Sequence, residues 1–117
     1  MADLPPGAVD LIRIALDEDL GSGDVTAAAT VPDGLSCRAR IVQKQPGVIF
    51  GLDVVEEVFR QVGVEDIDRT IIEGHWHESV PRDILLIHGP ARSVLAGERV
   101  ALNFLGHLSG IATLTAK

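Results

Sequence analysis

Near the N-terminus apolar residues recur every three or four positions, at Val9, Ile12, Leu16 and Leu20, and Gly21 follows as a stop. This spacing predicts an amphipathic helix over about 8–20. The Asp17-Glu18-Asp19 cluster then sits at the C-terminal end of that helix, where carboxylates meet the negative pole of the dipole. Such a placement points either to a cationic partner, for instance on another subunit, or to a solvated helix end. Gly21 to Thr26 supplies glycines and short polar capping side chains, as a loop would. From Ser36 to Gln43 the pattern becomes alternating, with Cys37, Ala39 and Ile41 set against Arg38, Arg40 and Gln43, which predicts a half-buried strand. Pro46-Gly47 makes a turn into a short apolar strand, Val48-Ile49-Phe50. Asp53 is placed to cap a second helix that turns Val55, Val58, Phe59 and Val62 inward and closes at Gly63. Arg69 to Glu73 and Ile84 to Ile87 read as further strands.

The last third predicts one long helix, about 93–117. Val100, Ala101, Leu102, Phe104, Leu105, Leu108, Ile111 and Ala112 cover more than half of its circumference, so burial on several sides is expected. The remaining strip holds Arg99, Asn103, Gly106 and Gly110, spaced to stack on one face. Glycines one turn apart admit a backbone or ligand closely. Beside them Arg99 carries the side chain best shaped to hold a carboxylate or phosphate with paired hydrogen bonds. It is either an anion-binding group or a structural ion-pair partner, bonded to Glu98 or to backbone. The order helix, strands, helix, strands, helix describes an α+β domain with helices packed on a small, mostly antiparallel sheet.

Composition narrows the function. The 117 residues carry a formal charge of −7, and aromatic residues make up 3%. Both features argue against a nucleic-acid partner. No apolar run is long enough to cross a bilayer, and the N-terminus lacks a signal-peptide pattern, so a soluble chain without a membrane partner is expected. The single cysteine, Cys37, rules out a disulfide within the chain and fits a reducing, intracellular setting. His75-Trp76-His77 places two histidines on one face of an extended segment, but a third ligand is not apparent, so a surface loop is favoured over a metal site. His88 and His107 lack an acid at a telling spacing. Ser93 and Ser109 lack the glycines of a nucleophile elbow. Gly21-Ser22-Gly23-Asp24 lacks the glycine pattern of a phosphate loop. Lys117 ends the chain inside a helical pattern without a cap, and a further C-terminal part is expected.

The segments Leu16-Asp17-Glu18-Asp19-Leu20-Gly21-Ser22-Gly23-Asp24-Val25-Thr26, Gly47-Val48-Ile49-Phe50-Gly51-Leu52 and Gly89-Pro90-Ala91 through Glu98-Arg99, Leu102-Asn103-Phe104-Leu105 and Leu108-Ser109-Gly110-Ile111-Ala112-Thr113 together resemble the quinolinate phosphoribosyltransferase family. The resemblance covers nearly the whole chain in order. It implies an N-terminal α/β-hammerhead sandwich over 1–117, with the long helix leading toward an α/β barrel that this sequence does not include. Activity would lie in the whole enzyme, which makes nicotinate mononucleotide, carbon dioxide and pyrophosphate from quinolinate and phosphoribosyl pyrophosphate in de novo NAD biosynthesis. Magnesium would be the cofactor, bound by the barrel, in a cytoplasmic homodimer. Arg99 would correspond to the arginine of the family's Glu-Arg-x-x-Leu-Asn motif, which enters the neighbouring subunit's active site and binds a quinolinate carboxylate. Asp17, Glu18, Asp19, Asp24 and Thr26 match signature positions, with structural or interfacial roles expected. Glu73 to Asp83 departs from the family by a slightly longer turn, with Asp83 where glycine is common; this bears on the hairpin and not on Arg99. Two rivals share these motifs: a paralogous phosphoribosyltransferase-like protein associated with molybdenum transport, and a non-catalytic dimerisation or binding module.

Overall fold

The computed structural model describes residues 4–21, 31–32 and 34–117. Among the described residues three helices pack on a small antiparallel sheet, as the sequence pattern predicts. Helix α1 (Pro6–Asp19) starts on Pro6, whose fixed φ suits a first helical turn. Strand β1 (Ser36–Gln43) and strand β2 (Gly47–Val48) precede helix α2 (Leu52–Gln61). Strands β3 (Asp66–Arg69), β4 (Trp76–His77) and β5 (Arg82–Pro90) follow, and helix α3 (Ala91–Ala116) completes the order. The sheet runs β1-β5-β3, with β2-β4 as a separate antiparallel pair.

Central β5 buries Leu85 and Ile87 against the helices and turns Leu86 and His88 outward, the period of two that a one-sided sheet requires. Its register with β1 shifts between Ile41 and Val42, where Leu85 and then Asp83 are the partners, so Ile84 is the extra residue of a bulge. That shift lets Ile84 join Leu85 in the core. Helix α2 contributes Leu52, Val55, Val58 and Phe59, α1 contributes Ile12 and Leu16, and α3 contributes Val94, Val100, Ala101 and Leu105. Gly97 lies where α3 crosses α2: a Cβ there would stand 3.1 Å from Val62 Cγ2 and 3.2 Å from Phe59 Cδ1. A side chain there would require Val62 and Phe59 to give by a few tenths of an ångström.

Three expectations need correcting. The strand placed at Arg69–Glu73 is instead Asp66–Arg69, paired with Leu85–His88. Trp76 and His77 are not a loop but pair with Val48 and Gly47. Ile49 and Phe50 lie beyond the end of β2, which stops at Val48. The segment Ser22 to Thr26, with the signature residues Asp24 and Thr26, lies outside the described residues.

Candidate functional site around Arg99

Helix α3 is 26 residues long, and its two halves differ in what they touch. Every residue it buries lies between Ala91 and Leu105. Beyond Leu105 the helix outruns the α1–α2 layer, and Ile111 and Leu114 are 52% and 71% exposed. The expected burial on several sides therefore fails for the second half, because the described chain has too few elements to surround it. Arg99 sits at the change-over, on an outward face, with a side chain 55% exposed. It is not sunk in an apolar surface.

The carboxylate that meets Arg99 is Asp19, the last residue of α1. Arg99 Nη1 donates to Asp19 Oδ1 at 3.4 Å, and Asp19 is only 12% exposed. The acidic residue at the unfavourable end of α1 thus has a cationic partner within the same chain. Next to this pair, α1 and α3 enclose an open groove of about 630 Å³, lined by Ala15, Glu18, Asp19, Val100, Asn103, Phe104 and His107. Asn103 shares the Arg99 strip as expected. Among the described residues no other part of the chain comes within 4 Å of a Cβ built on Gly106 or Gly110, so both leave the helix backbone open to approach.

Two features that the sequence did not reveal fix α3 and its neighbours. Ser109 Oγ donates to the Phe50 carbonyl (3.2 Å) and accepts from the Phe50 N–H (3.0 Å). One turn later, Thr113 Oγ1 does the same for Val48, at 3.2 and 2.9 Å. Hydroxyls four residues apart on α3 thereby satisfy the free edge of the β2 segment, a helix acting as a neighbouring strand would. The signal was present in the Ser109 and Thr113 spacing, but their partners are about sixty residues away.

The second feature is a carboxylate cluster around Arg69. Asp53 and Glu56, from the start of α2, hydrogen-bond its guanidinium, and Glu73 Oε1 lies 3.9 Å from Nη1. The hydrogen bond to Glu56 is the main cause of a raised Arg69 pKa, with Asp53 adding to it and burial opposing it, so the residue stays cationic. Glu73 Oε2 also accepts from the Gly51 and Leu52 N–H groups, each at 2.9 Å. Glu73 is therefore the cap of α2, where the sequence pointed to Asp53. Gly51 precedes the helix at φ 107°, a conformation that leaves it no capping side chain of its own.

Among the described residues no group of three or more His, Cys, Asp or Glu side chains could hold a metal ion. His77 Nε2 is buried without a hydrogen-bond partner among them. Trp76 Nε1 donates to Glu78. His88 Nδ1 lies 3.3 Å from Asp66 Oδ2 on the opposite, solvent-facing side of the sheet. No described helix is long and apolar enough to cross a membrane.

Comparison with known proteins identifies the family. The family model described as quinolinate phosphoribosyl transferase, N-terminal domain, matches residues 24–109. The nicotinate-nucleotide pyrophosphorylase [carboxylating] of Mycobacterium leprae is 41% identical over 113 residues, covering 92% of this chain and 39% of that protein. The chloroplastic protein of the same name from Oryza sativa subsp. japonica is 35% identical over 112 residues, covering 90% of this chain and 29% of its own length. Among solved structures, NadC from Streptococcus pyogenes superposes with a TM-score of 0.85 at 36% identity, over 99% of this chain and 42% of that one. The nicotinate-nucleotide pyrophosphorylase from Francisella tularensis gives 0.84 at 30% identity, over 97% and 40%. The chain thus spans between 29% and 42% of the length of these proteins.

Proposed function

Because the chain belongs to the quinolinate phosphoribosyl transferase N-terminal domain family, we propose that it is the N-terminal part of a carboxylating nicotinate-nucleotide pyrophosphorylase. The whole enzyme would convert quinolinate and phosphoribosyl pyrophosphate to nicotinate mononucleotide, carbon dioxide and pyrophosphate. In this proposal Arg99 enters the active site of the neighbouring subunit of a homodimer and binds a quinolinate carboxylate.

The observation that carries the proposal is Arg99 itself, a half-exposed guanidinium on a helix whose following apolar turns are uncovered. Exposed Ile111 and Leu114 form an apolar stretch of the kind that a subunit interface covers. A partner seated there would bring its own active site to Arg99 and exclude water from it. Quinolinate carries two adjacent carboxylates, and a guanidinium fork holds one of them with two parallel hydrogen bonds. The task of the arginine is positioning: with the ring held, its nitrogen faces the anomeric carbon. The nitrogen forms the new bond to that carbon as pyrophosphate leaves with the electron pair. Loss of carbon dioxide from the ring follows, and the carbon that loses it takes up a proton. Magnesium belongs to the whole enzyme in this proposal, held by residues outside those described.

The test is Arg99→Ala in the whole enzyme, read as the KM and kcat for each substrate. A weakened use of quinolinate with little change toward phosphoribosyl pyrophosphate is expected. Unchanged quinolinate kinetics would favour a domain that serves only in assembly. An enzyme that does not consume quinolinate at all would favour the molybdenum-transport-associated paralogue.

A further inference from the structure

We infer that Asp19 is the positioning residue for Arg99, an inference that rests on the proposed role of that arginine. Asp19 closes α1, and a carboxylate at that end of a helix is opposed by the dipole. It is nonetheless well covered, at 12% exposure, and its Oδ1 lies 3.4 Å from Arg99 Nη1. A carboxylate held in an unfavourable and mostly covered place is favoured by a nearby cation, and α3 supplies one from eighty residues away.

The arrangement also suits what Arg99 has to do. An arginine on a helix surface has many rotamers, and ordering it at the moment of binding reduces affinity. A carboxylate fixed at the rim of the α1–α3 groove restricts the guanidinium before substrate arrives. A planar fork with five N–H donors can meet a pinning carboxylate and a bidentate substrate carboxylate together. Asp19 would then act on quinolinate only through Arg99, and would not touch the phosphoribosyl donor.

The experiment is a double-mutant cycle in the whole enzyme with Asp19→Asn, Arg99→Ala and the pair. Asp19→Asn is expected to raise the KM for quinolinate about tenfold, with kcat and the KM for phosphoribosyl pyrophosphate nearly unchanged. In the Arg99→Ala background the same change is expected to do nothing further. An equal effect in that background, or a joint loss of kcat and both KM values, overturns the inference while leaving Arg99 in place. If Arg99→Ala alone leaves quinolinate kinetics unchanged, the proposed role of Arg99 fails first and this inference with it. Should Asp19→Asn not fold, Asp19→Glu carries the test. It keeps the charge but moves it by one methylene, and a smaller rise in quinolinate KM that again requires Arg99 is expected. An unchanged KM in Asp19→Glu, or a rise that persists without Arg99, overturns the inference equally.

Discussion

The cap of α2 offers a sharp test of how the fold is held. Glu73 Oε2 accepts from two adjacent backbone N–H groups, Gly51 and Leu52, both at 2.9 Å, and both of these residues are buried. Hydrogen bonds to a charged acceptor contribute about 1.5–3 kcal/mol each, and a carboxylate at a helix N-terminus adds about 0.3–1 kcal/mol. The Glu73 side chain is 21% exposed, which calls for the lower part of these ranges. Glu73→Ala strands both donors and should cost about 2–4 kcal/mol. Glu73→Gln keeps an oxygen acceptor and loses only the charge, so about 1 kcal/mol is expected. For a chain of this length, each kcal/mol corresponds to about 4 °C in Tm. Urea denaturation followed by circular dichroism, with Trp76 fluorescence as a second probe, measures both variants. Asp53→Asn is the control, because Asp53 pairs with partly exposed Arg69 and its loss should cost about 0.5–1 kcal/mol. If Asp53→Asn proves more costly than Glu73→Ala, or Glu73→Ala falls within 0.5 kcal/mol of wild type, then the helix is capped from within and the assignment to Glu73 is wrong.

Thr113→Val preserves shape but removes both hydrogen bonds to the buried Val48 backbone, and equilibrium denaturation should show a loss of about 1–3 kcal/mol. Ser109→Ala, at the more exposed Phe50 pairing, should lose less, about 0.5–1.5 kcal/mol, and a double mutant would reveal any coupling between the two. Phe59→Ala empties the centre of the helix layer, where the ring is 2% exposed, and should lose about 3–5 kcal/mol in the same assay. Gly97→Val places a branched side chain against Val62 and Phe59 at the α2–α3 crossing, and a loss of at least about 1–3 kcal/mol is expected, whereas any gain in Tm would contradict the close packing described there.

Local periodicity made most of the architecture legible. Ile12 and Leu16 in α1, and Val55, Val58 and Phe59 in α2, are buried as their spacing requires, and β1 keeps its alternation from Ser36 to Ile41; past the bulge opposite Ile41 and Val42 it breaks, and Gln43, expected on the outer face, is buried and accepts a hydrogen bond from Arg82 Nε. The misplaced strand shows what periodicity lacks. Thr70-Ile71-Ile72 is rich in β-branched residues, yet the strand ends at Arg69: Thr70 still donates its N–H to the Ile84 carbonyl and its hydroxyl to that of Asp83, and beyond it the chain turns away as Glu73 caps α2. Asp66 to Arg69, with Ile67 as its single inward apolar residue, pairs instead because β5 offers it an edge. Apolar residues of α3 posed a different problem. Their number predicts burial, but sequence does not distinguish burial within the chain from burial by something that docks on it. For Arg99 the outward strip with Asn103, Gly106 and Gly110 was readable, and so was the odd placement of Asp19. Their meeting was not, since it depends on how two helices distant in sequence cross.

In the proposed enzyme, Arg99 serves the active site of the other subunit. Mixed dimers of the whole enzyme test this most directly, pairing an Arg99→Ala subunit with a subunit that retains Arg99 but is inactivated in the remainder of the protein. Each homodimer is expected to be impaired while the mixture regains activity, because one of the two sites in a mixed dimer then holds both an intact catalytic part and a partner's arginine. If the mixture stays as impaired as its components although mixed dimers form, Arg99 does not serve the other subunit's site.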